Sequence, residues 1–294
     1  MADKVAVVTG SNKGIGYATV RELCKRGVKY VYLTSRDVKR GHEAVKNLNK
    51  EGFKPLFHQL DVTDNNSVKV FAEHLKKQHR GLDILINNAA LITSNFKETT
   101  YEDSELVLNA NYYSILTIQK YMFPILKDNA RVINMSSDCG HISNLKNTYW
   151  INRLIKEDIK VEDINAFVEW FLDSVKNGTL NEDDFGETPL LAYKISKIAV
   201  SALTRVQQNE VGRGISINSI HPGFVKTDMT RTVGFITTEE ACKPLVYLAL
   251  DIDQSARGKY FWFDKTEKDW ADPNQKLYDD FAEFEQMLKD VNKI

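Results

Sequence analysis

Tyr193 and Lys197 stand four positions apart in the segment Tyr193-Lys194-Ile195-Ser196-Lys197. On a helix that spacing puts both on one face, one turn apart. A free phenol is a poor acid near neutrality, with a pKa of about 10. A lysine cation beside it favours the phenolate and is expected to bring that value down. A phenol tuned in this way can give a proton to a carbonyl oxygen or take one from an alcohol. The hydroxyl pair Ser136-Ser137 closes an apolar run at 131–135. If that run is a strand, the pair lies at the edge where ligands bind in open α/β sheets, able to hydrogen-bond the same oxygen. Alone, a tyrosine and a lysine at this spacing usually mean nothing, so the rest of the chain must supply the context.

Part of that context is the turn at 9–16, Thr9-Gly10-Ser11-Asn12-Lys13-Gly14-Ile15-Gly16. It follows a short β-branched run and precedes helical spacing. In that setting Gly10 permits the tight turn, Gly14 lets the backbone approach a pyrophosphate, and Gly16 allows close helix–strand packing. The helix start offers free N–H groups to phosphates. A nucleotide-binding turn is expected, with Asn12, Lys13 and Ile15 in contact. At the end of the second strand stands Thr34-Ser35-Arg36, where an enzyme preferring NAD places an acid on the ribose 2′-hydroxyl. Arg36, Arg40 and Lys13 could instead converge on a 2′-phosphate, and guanidinium groups suit phosphate geometry. NADP(H) is the expected cofactor. Asp37 is the counterweight, since it could pair with one of the cations.

These groups need elements to hold them. Apolar runs predict strands at 5–8, 30–33, 55–60, 84–86, 131–135 and 216–220. Helical spacing predicts helices at 17–25, 40–49, 68–78, 106–126 and 193–210. The alternation implies an α/β fold, a doubly wound parallel sheet of Rossmann type, in one domain spanning 1–294. Two stretches break the rhythm. An insertion at about 139–189 carries helical spacing over Ile164, Phe167, Val168, Phe171, Leu172 and Val175. A C-terminal extension at about 271–294 reads as a helix, with Asp272-Pro273 as N-cap and first-turn proline and Leu277, Phe281, Phe284, Leu288 and Val291 on one face. Docking on its own domain and pairing with a partner both remain open for that helix.

Composition narrows the function classes. A net charge of −1 argues against nucleic acid or a membrane surface as partner. No apolar run approaches the roughly 20 residues of a membrane helix, and the first residues lack the pattern of a signal peptide. Three cysteines, Cys24, Cys139 and Cys242, do not make a disulfide framework. A cytoplasmic protein with a small-molecule substrate is expected, and the sequons at Asn65 and Asn177 are expected to stay unglycosylated.

Taken in order, TGSNKGIG at 9–16, NNA at 87–89, Asn111, NMSS at 134–137, YKISK at 193–197 and HPGFVKTDM at 221–229 resemble the short-chain dehydrogenase/reductase family, over residues 4 to about 270. The resemblance implies Ser137 as the substrate-oxygen serine and Tyr193 as general acid. It implies Lys197 as the group that depresses the phenol's pKa and binds the nicotinamide ribose, and Asn111 as holder of a relay water. It places Asp61-Val62 at the adenine, Asn88 near the adenosine ribose, and Pro222-Gly223, Val225 and Thr227 over the nicotinamide, with Ala89 also among the cofactor contacts. Ser137 and Tyr193 lie 56 positions apart, far more than in most members. That interval, with LTSRDVKRG at 33–41 and FVKTDM at 224–229, is similar to monomeric carbonyl reductases, whose helical insertion covers a surface other members use for assembly. A monomer is therefore expected. Ala90 replaces the glycine of the usual NNAG, one methyl that should be tolerated. Ile142, Trp150, Phe224 and Met229 are expected to face substrate, and Cys139 to act as a small buried hydrophobe. The implied activity is NADPH-dependent reduction of ketones, aldehydes and quinones. Two alternatives stand beside it: an NADP-dependent alcohol dehydrogenase dedicated to one terpenoid, steroid or prostaglandin-like substrate, and an NADP(H)-binding sensor without turnover.

Overall fold

Val5–Val8 carries four apolar side chains in a row because both faces of this strand are buried, as a central parallel strand requires. The computed structural model describes residues 3–93, 98–185 and 190–278. Its strands are β1 (Val5–Val8), β2 (Tyr30–Ser35), β3 (Leu56–Gln59), β4 (Leu82–Asn87), β5 (Leu126–Met135), β6 (Ser216–Ile220), β7 (Tyr260–Phe261) and β8 (Glu267–Lys268). They form one sheet in the order β3-β2-β1-β4-β5-β6-β7-β8. Every pairing is parallel except β7 with β8. The order reverses between β1 and β4, so a crevice opens there at the carboxyl ends of the strands.

The helices are α1 (Gly14–Lys25), α2 (Val38–Lys50), α3 (Asn65–His79), α4 (Tyr101–Leu108), α5 (Ser114–Met122), α6 (Thr148–Leu154), α7 (Val161–Lys176), α8 (Glu182–Phe185), α9 (Leu191–Glu210) and α10 (Thr238–Leu250). Alternate strand residues feed different cores. Ala6 and Val8 pack with Val20 and Leu23 of α1, Leu48 of α2 and Leu245 of α10. Val5 and Val7 pack with Phe71 and Leu75 of α3 and Ile118 of α5. A third core joins α4 and α9 to the insertion.

The insertion helix is α7, with the Asp163 carboxylate accepting from Lys160 N–H at its start. It buries Ile164, Phe167, Val168 and Phe171 against α4 and α9. Trp150 of α6 stacks into the same group, its ring 5.6 Å from Phe167 and 5.5 Å from Trp170.

Three expectations change. The single helix expected over 106–126 is α4, a π-helical turn (Asn109–Tyr113) and α5, and β5 begins already at Leu126. Helix α10 was not anticipated. Its capping box is plain, with Thr237 and Glu240 each bonding the other's backbone N–H, but Pro244 interrupts the pattern downstream. No helix begins at Asp272-Pro273: the Asp272 carboxylate accepts from Asn274 N–H in a turn, and 271–278 runs on without helix. The rest of that expected helix, from 279 onward, lies outside the described residues. Among the described residues no helix is long and apolar enough to cross a membrane.

Candidate active site

A cleft of about 1700 Å³ runs along the carboxyl ends of β1, β4, β5 and β6. Typical small-ligand pockets are about 300–1,000 Å³, so the space suits a dinucleotide and a second molecule together. One half of it is built by the glycine turn. Gly10 has φ +59°, and a Cβ there would meet the Ala89 Cα at 2.9 Å. At Gly16 a Cβ would meet the Asn88 amide nitrogen at 2.5 Å and the Ser11 Cα at 2.8 Å. Side chains at either position would push the turn off the end of β4. The Asn88 amide donates to Thr9 O at 2.8 Å and Gly10 O at 3.1 Å, and the Thr9 hydroxyl accepts from the N–H groups of Asn88 and Ala89, both at 2.9 Å. The start of α1 thus points its N–H groups at open space.

Gly10, Asn12, Lys13, Gly14, Ile15 and Gly16 all line the cleft. So do Arg36, Arg40, Asp61, Val62, Asn88 and Ala89. The three expected cations do not stand ready together. Lys13 pairs with Asp228 at 2.7 Å across the cleft mouth. Asp37 caps α2 by accepting from Arg40 N–H at 2.9 Å and lies 3.8 Å from the Arg40 guanidinium. Arg36 is exposed at the end of β2. The Asp61 carboxylate holds its own turn through Thr63.

The other half is built by β5, α9 and the loop after β6. A buried amide ladder aligns them: the Asn87 amide donates to the Asn134 carbonyl at 2.8 Å, and the Asn134 amide donates to Thr204 and Gln207 of α9, both at 2.9 Å. Ser137, Tyr193 and Lys197 come together here, all lining the cleft. The Lys197 ammonium donates to Met135 O at 2.7 Å and lies 5.4 Å from the Tyr193 ring centre. Burial dominates the ionisation of both. It pushes the Tyr193 phenol well up from its ordinary value, against a smaller downward pull from the Ser137 hydroxyl. It pushes Lys197 down to about 7. The expected depression of the phenol by the lysine is therefore not what these residues produce by themselves, since a buried amine close to neutral supplies little field.

Asn111 sits in the π-helical turn, a type of irregularity frequent at functional sites. Its side chain is committed. Its carbonyl accepts from Leu91 N–H at 2.8 Å, and its amide donates to Leu91 O and to the Ser196 hydroxyl, both at 3.0 Å. It braces the loop after β4 against α9. Pro222, Gly223, Val225 and Thr227 line the cleft, as do Phe224 and Met229. Ile142 and Trp150 do not. Ile142 is fully buried and Trp150 is 7% exposed, both in the core of the insertion, so the expectation that they face substrate is corrected. Cys139 does line the cleft, but burial pushes its thiol up to about 12.

Sequence reasoning missed three groups. Asp138 follows Ser137 directly and accepts a hydrogen bond from its hydroxyl at 2.7 Å. Lys194 is 6% exposed, lines the cleft, and is pushed down to about 8 by burial. Pro273–Tyr278 forms one wall. Only Asp138 left a signal in the sequence, an acid beside the serine pair.

The family model described as short chain dehydrogenase matches residues 4–149 and 185–234. The gap between the two blocks contains α7. Carbonyl reductase (NADPH) 1 of Sus scrofa is 34% identical over 279 residues, covering 92% of this chain and 95% of that protein. The human protein of the same name is 34% identical over 254 residues, covering 84% and 90%. Among solved structures, salutaridine reductase from Papaver somniferum is 31% identical with a TM-score of 0.80, covering 88% of this chain and 99% of that one. Menthone neomenthol reductase from Mentha piperita is 27% identical with a TM-score of 0.76, covering 90% and 99%. With its sheet order, its glycine turn and a match over most of its length, the chain belongs to the short-chain dehydrogenase/reductase family.

Proposed function

We propose that the protein is an NADPH-dependent reductase of carbonyl compounds, taking ketones, aldehydes and quinones to alcohols. The observation that carries this reading is the convergence of Ser137, Tyr193 and Lys197 at the carboxyl edge of the sheet, across the cleft from the glycine turn. The carbonyl reductases (NADPH) it resembles support the same reading.

The residues present fit a dinucleotide phosphate. Gly10, Gly14 and Gly16 keep the turn free of side chains at the start of α1, with Asn12, Lys13 and Ile15 between them. Asp61 and Val62 lie where an adenine would rest, Asn88 and Ala89 beside the ribose. Arg36, with no acid at the end of β2, and Arg40 would meet a 2′-phosphate. Pro222, Gly223, Val225 and Thr227 would close over the nicotinamide. When bound, the reduced nicotinamide supplies the hydride.

The chain's own residues manage the oxygen and its proton. Because burial raises the phenol's pKa, Tyr193 keeps its proton at neutral pH, the form a donor to a carbonyl oxygen needs. Ser137 orients that oxygen. Lys197, fixed by Met135 O, lies 5.4 Å from the centre of the phenol ring, where it would also meet the nicotinamide ribose. Asn111 holds the loop at Leu91 and the Ser196 turn in register, which places Tyr193. The outer side of α9 is covered by α7, and the three cysteines are free. We read the protein accordingly as a cytoplasmic monomer.

The test is NADPH oxidation against a panel of quinones, aromatic aldehydes, keto-esters and steroid ketones. Turnover on at least one class is expected; tight cofactor binding with no turnover on any would replace this reading with that of a nucleotide sensor.

A further inference from the structure

The chain that leaves the sheet after β8 is sewn to the loop that follows Ser137, residue by residue. His141 Nε2–H donates to Asp269 O at 2.9 Å. Trp270 Nε1–H donates to Gly140 O at 2.6 Å. Tyr278 O–H donates to Asp138 Oδ2 at 2.7 Å. The other oxygen of Asp138 accepts from the Ser137 hydroxyl at 2.7 Å and from Cys139 N–H at 2.9 Å. One carboxylate therefore joins the serine on one side to the phenol of the tail on the other. The Tyr278 ring packs edge-on to Trp262, 5.6 Å between centres, and the same segment faces the cleft.

Hydrogen bonds and the His221 ring beside it meet the charge of Asp138. Burial works to raise its pKa, yet the group stays a carboxylate below its ordinary range because the neighbouring His221 ring and the donors Tyr278, Ser137 and Cys139 N–H all lower it. His221 lies 3.7 Å away. Its Nδ1 accepts from Asp138 N–H at 2.8 Å, and burial pulls the ring's own pKa down. Lys194 feels the carboxylate only from beyond ion-pair reach. Tyr193, Tyr260 and Cys139 face the same charge as uncharged groups.

The serine has one proton, and it cannot serve Asp138 and a substrate oxygen at once. A carbonyl that engages Ser137 must draw that proton off Asp138. A buried carboxylate resists losing a donor unless others keep it satisfied. Cys139 N–H stays on the oxygen that Ser137 leaves, and Tyr278 is the side-chain donor that stays, on the other oxygen.

We propose that residues 269–278 are part of the active site: Tyr278, through the positioning residue Asp138, frees the Ser137 proton for the substrate oxygen and forms a specificity-determining wall of the cleft. The inference rests on the reductase reading for its catalytic half and on geometry alone for the wall.

The test uses the full chain with Tyr278→Phe, Tyr278→Ala and Asp138→Asn. Removing the phenol proton in Tyr278→Phe leaves Asp138 dependent on Ser137, so kcat on a ketone should fall about tenfold while NADPH affinity stays within about twofold. Asp138→Asn in that background withdraws the demand for the serine proton, and kcat should recover to within about threefold of wild type. The second readout does not need turnover. Cys139 sits under the wall, and its alkylation, followed by peptide mass, should accelerate about tenfold in Tyr278→Ala. A Tyr278→Phe protein as fast as wild type, a double variant slower than the single, or unchanged Cys139 alkylation overturns the proposal. A wild-type protein that reduces no carbonyl removes the reductase reading instead, and the alkylation rate then decides the wall alone.

Discussion

The two halves of the cleft are built on opposite physical principles. The glycine-turn half is made of backbone: N–H groups at a helix start, glycines where a Cβ would collide with Ala89, Asn88 or Ser11, and exposed cations at the rim. The half around Ser137, Tyr193 and Lys197 is made of side chains packed into the cleft wall, Lys197 buried and Tyr193 half-buried, whose proton affinities are shifted chiefly by burial. Binding a phosphate needs geometry and a field that solvent can screen. Moving a proton needs a positioned group whose proton affinity its surroundings have adjusted. The comparison predicts that substitutions in the first half change cofactor affinity, and that substitutions in the second change turnover.

Tyr193→Phe draws that line most sharply. The ring keeps its packing against Lys197 and only the proton donor is lost. Turnover should fall about a thousandfold, the loss of a general acid at the reacting oxygen, while NADPH affinity stays within about threefold. Steady-state kinetics and a fluorescence titration of NADPH on the same preparation check both numbers. A weakening of NADPH binding in step with turnover would break the division between the halves.

Arg36→Ala tests the first half from the other side. Arg36 is exposed and bears on the cofactor's rim. Its loss should raise the KM for NADPH about tenfold, leave the KM for NADH within about twofold and leave kcat unchanged, the cost of one charge-assisted contact to a phosphate. An equal effect on both cofactors would move the 2′-phosphate to Arg40 or to Lys13, which would first have to leave Asp228.

The backbone half was the more legible in sequence, for the same physical reason. Gly10, Gly14 and Gly16 between a β-branched strand and a helical pattern announce a turn whose sterics are local. The Tyr193–Lys197 pair was also legible, because a four-residue spacing on a helix is local too. What was not legible depends on contacts made by distant parts of the chain. The direction of the phenol's shift is one case: the pair's spacing argued for depression, while burial, supplied by many separate segments, raises it. Ile142 and Trp150 are another. Both follow the serine closely in sequence, but the aromatic core of the insertion, with Phe167 and Trp170, draws them inward. The tail is the third. Nothing in the spacing of Asp272, Pro273 and Leu277 says that Tyr278 reaches Asp138, 140 positions earlier.

Burial as the agent of the catalytic half has a consequence for stability that a surface ion pair would not. Lys197 holds its proton only up to about 7 in the folded protein, and in the unfolded chain up to about 10.4. Between those values the unfolded state binds more protons, so the stability of the cofactor-free protein should rise with pH. Lys194, pushed down to about 8, adds to the same slope. Beyond pH of about 9 the sign turns over, because folded Cys24, Cys139 and Cys242, pushed up by burial to about 11, 12 and 11, keep protons that the unfolded thiols release, and folded Tyr193 does the same above about 10. Urea midpoints measured from pH 6 to 11 should therefore pass through a maximum at about pH 9. Each lysine contributes at most about 1.4 kcal/mol per pH unit to the slope below it. Lys197→Met keeps the stem and removes the titration, so the rise should shrink to the part that belongs to Lys194. A wild-type midpoint that falls steadily from pH 7 would mean that Lys197 is charged in the folded state. The phenol would then sit beside a full cation, and the catalytic half would work by the field of its lysine rather than by exclusion of water.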